Sequence, residues 1–274
     1  MESKALPEGK YLDIDNGLRL HYHEQGEGLP VIFIHGSGQG ASGFSNFCQN
    51  SPYFAEHGFR ALMPDLPGFG YSSKPEDAKY ELDFYVSAIK QFVDGLGLKS
   101  LVLVGNSLGG AISLKFAMDY PDYISKLILM APGGIEPQEV YAQMSGLHAL
   151  FRVVYSPDPI SREGLRSVLS LQLWDESLLT DQIVEERYAI AKDQPKAVWT
   201  TMKVPFLGGD LEKITCPVLV FWGSDDRFLP VSGAQVMAKN CPNSRTIVFS
   251  RCGHWVMAEH TDLFNKYSVD FLRE

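Results

Sequence analysis

Residues 101–110 read LVLVGNSLGG and place a serine in a setting that favours nucleophilic chemistry. The apolar residues at the start predict a short buried strand, and the run 110–118 predicts a helix. Between them lies a G-x-S-x-G motif centred on Ser107, which needs a strand, a tight turn and a helix as its context. We therefore predict that Ser107 is a nucleophile at the carboxyl end of a strand, with the amide of Leu108 facing the same cleft.

A serine hydroxyl is a poor nucleophile unless a base takes its proton. His254 is the best-placed histidine, because it follows the predicted strand 245–249. The imidazole in turn needs an acid to fix its tautomer, and Asp225 and Asp226 lie just past the preceding predicted strand. Because parallel strands end at one edge of a sheet, we expect these side chains to converge on Ser107. The residues alone leave open which aspartate acts.

Acyl chemistry also requires an oxyanion hole with two donors. Leu108 supplies one N–H in this prediction, and the loop His35-Gly36-Ser37-Gly38 follows the predicted strand 30–34. The Ser37 amide is our candidate for the second donor, with its hydroxyl as an additional one. We expect His35 to hold this loop rather than to do chemistry.

The same loop continues into residues 38–43, which spell G-x-G-x-x-G after a strand and before a helix. Asp65 ends the next predicted strand, somewhat beyond the usual spacing of about 20 residues. A dinucleotide site is thus an alternative interpretation. We favour the oxyanion role, because the loop is needed there and the serine, acid and histidine are all present. A change in NADH fluorescence on mixing would reopen the question.

Composition narrows the class of protein. The chain has 274 residues, 33 acidic against 24 basic, and no basic patch, so nucleic acid is not expected as a partner. Its four cysteines show no C-x-x-C spacing, which favours reduced thiols in a cytoplasmic protein. We expect no secretory signal in the first 17 residues, no membrane-spanning segment and no metal site.

Strand and helix patterns alternate along the chain and predict a mainly parallel sheet with helices on both faces. An N-terminal hairpin is predicted over 10–24. The remaining predicted strands are 30–34, 59–63, 101–104, 124–130, 216–221 and 245–249, and the helices between and after them are 43–56, 82–96, 110–118 and 261–273.

The alternation is interrupted by about 70 residues without a strong strand pattern, far more than an ordinary connection. Helices are predicted there over 138–155, 161–174, 176–192 and 195–204. We therefore predict a core of residues 1–134 and 210–274 and a helical lid of residues 135–209. The lid should cover the carboxyl ends of the strands, where open α/β sheets bind ligands.

Several motifs together resemble the α/β-hydrolase superfamily and, more closely, its meta-cleavage product hydrolases. These bacterial enzymes cut a carbon–carbon bond in the ring-opened products of catechol-type aromatics. The similarity runs nearly end to end and includes HGSG at 35–38, DLPGFG at 65–70, GNSLGG at 105–110, WGSDDRFLP at 222–230 and CGHW at 252–255. It implies an α/β-hydrolase fold and a triad of Ser107, Asp226 and His254, in which Asp226 fits the acid three residues after Gly223.

The resemblance also implies how a substrate is held. Arg187 matches a lid arginine that binds the substrate carboxylate, and a planar guanidinium suits that task. The other substrate contacts that the family pattern implies are Gly36, Gly38, Asn46, Asn106 and Trp255. Two positions depart from the pattern, because Gln39 stands where the family often has proline and Phe44 where it has tryptophan.

The implied reaction is the hydrolysis of a 2-hydroxy-6-oxo-dienoate without a metal or organic cofactor, by a homo-oligomer of two or more subunits. A carboxylesterase or lactonase with the same triad is the alternative, and it would not need an arginine aimed at a carboxylate. A catalytically inactive scaffold is a third hypothesis, which the intact triad disfavours.

Overall fold

The computed structural model describes residues 8–274. The first seven residues, on which part of the expectation about a secretory signal depends, lie outside this range. Within it, the chain forms a single sheet in the order β1-β2-β4-β3-β5-β6-β7-β8. The strands are β1 (Lys10–Asp13), β2 (Arg19–Gln25), β3 (Leu29–Ile34), β4 (Phe59–Pro64), β5 (Leu101–Asn106), β6 (Ile124–Met130), β7 (Val218–Gly223) and β8 (Ser244–Phe249).

The sheet is parallel from β4 to β8, and the antiparallel hairpin of β1 and β2 joins its edge at β4. Asn16 and Gly17 turn the hairpin with positive φ angles of 61° and 68°. Central strands such as β5 are buried along their whole length, which explains their continuous apolar sequence. The predicted mainly parallel sheet is confirmed.

Helices occupy both faces of the sheet and the segment between β6 and β7. They are α1 (Gly43–Phe47), α2 (Ser51–Glu56), α3 (Leu82–Gly95), α4 (Leu108–Asp119), α5 (Gln138–Tyr141), α6 (Ser145–Val154), α7 (Arg162–Ser170), α8 (Asp181–Ala191), α9 (Lys196–Thr201), α10 (Ser232–Asn240), α11 (Val256–Glu259) and α12 (Thr261–Arg273). Helices α3, α4 and α10 share one apolar core with the sheet, and α1, α2 and α12 share the other.

Some predicted helices differ from those observed. The single helix predicted over 43–56 is wrong, because the chain forms α1 and α2 with a break between them. Pro52 lies in the first turn of α2, where its missing N–H costs no hydrogen bond, whereas inside a continuous helix it would break the backbone pattern. Helix α10 was not predicted from the sequence.

The inserted helical segment is confirmed and runs from α5 to α9. Its helices are shorter than predicted, and the one expected over 138–155 is divided into α5 and α6. Leu165, Leu169 and Val184 of this segment join the apolar core on the α1 side of the sheet, so the segment is packed against the rest of the chain. None of the helices formed by residues 8–274 is long and apolar enough to cross a membrane.

Candidate active site

Ser107 lies in a strained turn between β5 and α4. Its φ of 57° and ψ of −114° fall outside the regions that side-chain-bearing residues usually adopt. The turn is closed by the Ser107 N–H, which donates to the Met130 carbonyl, and by the Gly133 N–H, which donates to the Ser107 carbonyl. Within the described stretch 101–114, Ser107 alone is not buried. The backbone strain thus presents this hydroxyl to solvent or ligand.

The two glycines of the motif allow the strand and helix to approach each other. A Cβ on Gly105 would lie 2.3 Å from the Gly109 carbonyl oxygen, and a Cβ on Gly109 would lie 2.0 Å from that of Ile34. Any side chain at either position would therefore separate β5, α4 and β3. Leu108 is the first residue of α4, so its N–H has no acceptor within the helix and remains available at the turn.

His254 and Asp226 form a buried pair next to Ser107. The Nδ1 atom of His254 lies 2.6 Å from Oδ2 of Asp226. The other carboxylate oxygen of Asp226 accepts the N–H groups of Phe228 and Leu229 at 2.8 and 3.0 Å, which fixes its orientation. Asp225 is exposed and accepts the Ser224 hydroxyl instead. The geometry therefore pairs the histidine with Asp226.

Ser107 and His254 line the same small cavity of about 40 Å³. Among the described residues the Ser107 hydroxyl makes no hydrogen bond, and this contact commonly tightens only when substrate binds. The sequence-predicted residues Gly36, Ser37, Gly38, Asn46, Asn106, Arg187 and Trp255 also line this cavity. Of the remaining two, Asp226 contacts His254, and Leu108 follows Ser107 as the first residue of α4.

His35 joins the loop 35–38 to the loop that follows β4. Its Nδ1 lies 2.7 Å from the Gly36 carbonyl oxygen, and its Nε2 accepts the Leu66 N–H at 3.0 Å. Burial lowers the pKa of His35 to about 4, so the ring is neutral near pH 7, and Nδ1 donates while Nε2 accepts. This arrangement fits a residue that holds the loop in place.

The glycine-rich run 38–43 is occupied by internal contacts. A Cβ on Gly40 would lie 2.1 Å from the Arg187 carbonyl oxygen, and Gly43 donates its N–H to Asp65. Asp65 is fully buried and also accepts from the Tyr71 N–H and faces His21 Nδ1 at 2.8 Å. In a dinucleotide site this acid would bind a ribose. Here its carboxylate oxygens are occupied by contacts within the protein, which argues against that alternative.

Arg187 extends from α8 into the same cavity and is only 2% exposed. Its Nη2 donates to Asn46 Oδ1 at 2.8 Å, and its guanidinium lies 4.6 Å from the centre of the Trp255 ring. Neither Nε nor Nη1 has a hydrogen-bond partner among the described residues. Burial lowers the pKa of Arg187 to about 10, which still leaves a charged group near pH 7. A buried cation with spare donors suits an anionic ligand.

The other lid arginines do not share this environment, and Arg152 is exposed. Arg162 is exposed and pairs with Glu185, and Arg166 pairs with Asp181. Asn106 approaches the His254 carbonyl oxygen through Nδ2 at 3.4 Å, so it borders both Ser107 and His254.

Sequence reasoning missed several residues of the cavity wall: Leu147, Leu150, Gln172, Phe228 and Leu229. Leu147 and Leu150 lie one helical turn apart in α6, and this spacing could have marked a ligand-facing surface of the lid. Gln172 carried no comparable signal, because its contribution is a backbone carbonyl that accepts the His254 N–H at 2.7 Å.

Comparisons with known proteins agree with this geometry. Residues 30–261 match the family model of the alpha/beta hydrolase fold. A 2-hydroxy-6-oxo-6-phenylhexa-2,4-dienoate hydrolase of Burkholderia cepacia is 37% identical, with 94% of this chain and 92% of that protein covered. A 2-hydroxy-6-oxononadienedioate/2-hydroxy-6-oxononatrienedioate hydrolase of Comamonas testosteroni is 36% identical over the same shares.

Solved structures give the same result. A mutant meta-cleavage product hydrolase from Pseudomonas fluorescens IP01, complexed with acetates, superposes with a TM-score of 0.83 at 30% identity, covering 94% of this chain and 95% of that one. The 2-hydroxy-6-oxo-6-phenylhexa-2,4-dienoate hydrolase of Rhodococcus sp. strain RHA1 gives a TM-score of 0.86 at 25% identity, covering 97% and 100%. The chain therefore belongs to the alpha/beta hydrolase fold family and, within it, to the meta-cleavage product hydrolases.

Proposed function

We propose that this protein hydrolyses a carbon–carbon bond in a 2-hydroxy-6-oxo-dienoate formed during aromatic degradation. Relatives at 36–37% identity over nearly the whole chain are named for this activity. In the proposal Ser107 is the nucleophile, His254 the general base and Asp226 the acid that orients it. The amides of Leu108 and Ser37 stabilise the oxyanion.

The substrate carboxylate binds Arg187, and conversion of the enol to the ketone, assisted by Arg187 and Asn106, weakens the bond beside the distal ketone. Ser107 attacks that ketone while His254 takes its proton, and the carbon–carbon bond breaks as the leaving carbon takes up a proton. Water then hydrolyses the acyl group on Ser107. The products are a carboxylic acid and a 2-hydroxy-dienoate, which together contain the atoms of the substrate and one water.

The environment of Arg187 is the main support for this proposal. Its guanidinium is buried, lacks a carboxylate partner and lines the cavity that holds Ser107 and His254. A buried cation is unfavourable without a counter-charge, and the substrate carboxylate supplies one. A simple ester offers no such group, so an esterase would gain nothing from this arginine. The substrate contacts proposed for Gly36, Gly38, Asn46 and Trp255 surround the same position.

The test compares two substrates on the same protein. Loss of the yellow colour of a ring-cleavage dienolate and release of nitrophenol from a nitrophenyl ester are followed in parallel. We expect the dienolate to be turned over much faster, and the Ser107→Ala variant to lose about three or more orders of magnitude. Much faster ester turnover would favour the carboxylesterase or lactonase alternative. Failure of a fluorophosphonate to label Ser107 would favour an inactive scaffold.

We also propose that the protein acts on a small molecule in the cytoplasm as a homo-oligomer of two or more subunits. Similarity to the family and the absence of C-x-x-C spacing in the sequence support this proposal. Light scattering coupled to size exclusion gives the mass directly, and a mass near the 30.5 kDa of one chain would refute the oligomer.

A further inference from the structure

A second and larger cavity adjoins the first one at Arg187. Its volume is about 390 Å³, within the range of small-molecule sites and well above that of the catalytic cavity. Residues of α1, α8 and the segment after His254 line it, including Phe44, Ile183 and Met257. The two cavities share Asn46, Arg187 and Trp255, so these three residues lie where the cavities meet.

The larger cavity opens between exposed side chains and ends at the buried arginine. Gln182, Glu186 and Ala189 of α8 line it and are exposed, as is Tyr71 on the other side. A ligand can therefore enter this cavity from solvent and reach Arg187 without passing Ser107.

Arg187 has more donors than one carboxylate uses. A guanidinium carries five N–H groups, of which a bidentate carboxylate takes two. Asn46 accepts one, so two donors remain even when a substrate occupies the catalytic cavity. Buried donors without acceptors are unfavourable by about 1–3 kcal/mol each. A second acceptor group on the side of the larger cavity would satisfy them.

We propose that the cavity between α1 and α8 is a second binding site, specific for a small monocarboxylate with an apolar or aromatic body. The carboxylate lies against Arg187 and Asn46, and the body lies among Phe44, Ile183 and Met257. The site itself does not depend on the proposed function. If that function holds, the carboxylic acid product is a ligand of this class and binds the donors of Arg187 that the substrate leaves free.

The other charged groups around the cavity repel a bound carboxylate only weakly. Glu186 is exposed, and its carboxylate accepts a hydrogen bond from Gln182 at 2.9 Å. Its repulsion of an anion is weakened by solvent, whereas the attraction of Arg187 acts at a desolvated site. The other titratable groups that line the cavity are His23, Cys48 and Tyr71, none of which is a carboxylate.

The test uses 4-fluorobenzoate as the probe and fluorine NMR as the readout, on full-length Ser107→Ala protein. Ala189→Trp is expected to fill the cavity from α8. Ala238→Trp makes the same change at an exposed position on α10, which does not line the cavity. We expect Ala189→Trp to weaken one class of fluorobenzoate site by about 10-fold or more, and Ala238→Trp to leave the isotherm unchanged.

Two further measurements make the outcome decisive. Ala258→Trp fills the cavity from another segment and replaces Ala189→Trp if thermal unfolding shows that the latter does not fold. The neutral 4-fluorobenzamide should bind at least about 10-fold more weakly than the acid. Equal binding of acid and amide, or an isotherm that neither cavity variant changes, would overturn the proposal. Dienolate turnover by the protein with Ser107 intact tests the proposed function separately.

Discussion

Replacing Arg187 with glutamine should reduce activity and raise stability at the same time. The guanidinium is desolvated, and truncating one partner of a buried charge pair costs about 2–5 kcal/mol of binding. If this binding energy is lost from the transition state, kcat/KM for a dienoate decreases by roughly 30- to 5,000-fold. Hydrolysis of a small uncharged ester should change little, because no carboxylate is involved.

The same substitution should increase the free energy of unfolding. Burial lowers the pKa of Arg187 from 12.5 to about 10, so the folded state disfavours the charge that the unfolded chain carries freely. This difference in pKa between the folded and unfolded states destabilises the folded protein by roughly 3 kcal/mol near pH 7. The destabilisation disappears when the charge is removed. Glutamine ends about two bonds short of Nη2, so the hydrogen bond to Asn46 and the contact with Trp255 are both lost, together about 2 kcal/mol. We expect a net gain of about 1 kcal/mol and a rise in Tm of about 2–4 °C.

The experiment combines steady-state kinetics on both substrates with thermal unfolding. Arg162→Gln is the matched control, because it removes an exposed lid arginine that pairs with Glu185 and should change stability by less than about 0.5 kcal/mol. Equal losses on dienoate and ester would show that Arg187 does not recognise a carboxylate. A lower Tm in Arg187→Gln would refute the argument that its burial is destabilising.

Three other substitutions test the site and its supports. Asp226→Asn should lower kcat by about 10⁴-fold while Asp225→Asn has little effect, and equal effects would contradict the observed pairing with the histidine. Burial keeps His35 neutral in the folded protein down to about pH 4, whereas in the unfolded chain it is protonated below about pH 6.5. The free energy of unfolding, measured by urea denaturation, should therefore fall by roughly 2 kcal/mol between pH 7 and pH 5. The His35→Gln variant should lack this decrease. Gly40→Ala should destabilise more than Gly17→Ala, since both have φ of +68° but only Gly40 faces a carbonyl oxygen at 2.1 Å; equal unfolding midpoints would refute the steric argument.

The turn at Ser107 could be predicted because its determinants are local. Gly105 contacts Gly109 within the motif, and the flanking strand and helix are encoded by adjacent residues, although Gly109 itself faces the Ile34 carbonyl oxygen of the distant strand β3. The parallel sheet was predictable for a similar reason, since strands such as β5 and β6 are apolar along most of their length. In both cases a short stretch of sequence determines the structure that surrounds it.

Arg187 was harder to interpret, because helix length and charge do not say which face of a lid helix points inward. The periodicity of α8 contains a signal: Val184, Arg187 and Ala191 lie three and four residues apart, and all three are buried. An arginine on an otherwise apolar face indicates a buried charge with a function. The large cavity had no such signal, because its wall combines α1, α8 and the segment after His254, which are distant in sequence.

The lid is joined to the candidate active site by polar contacts, although the sequence marks it as an insertion. Gln194 accepts the Gly40 N–H at 2.8 Å, Gln172 accepts that of His254, and Arg187 donates to Asn46. Each contact joins a lid residue to a segment of the core that contains or adjoins residues of the candidate site. Displacing the lid would break all three, so the positions of His254, Gly40 and Arg187 depend on one docked arrangement. We infer that the lid is part of the active site and does not act only as a cover over it.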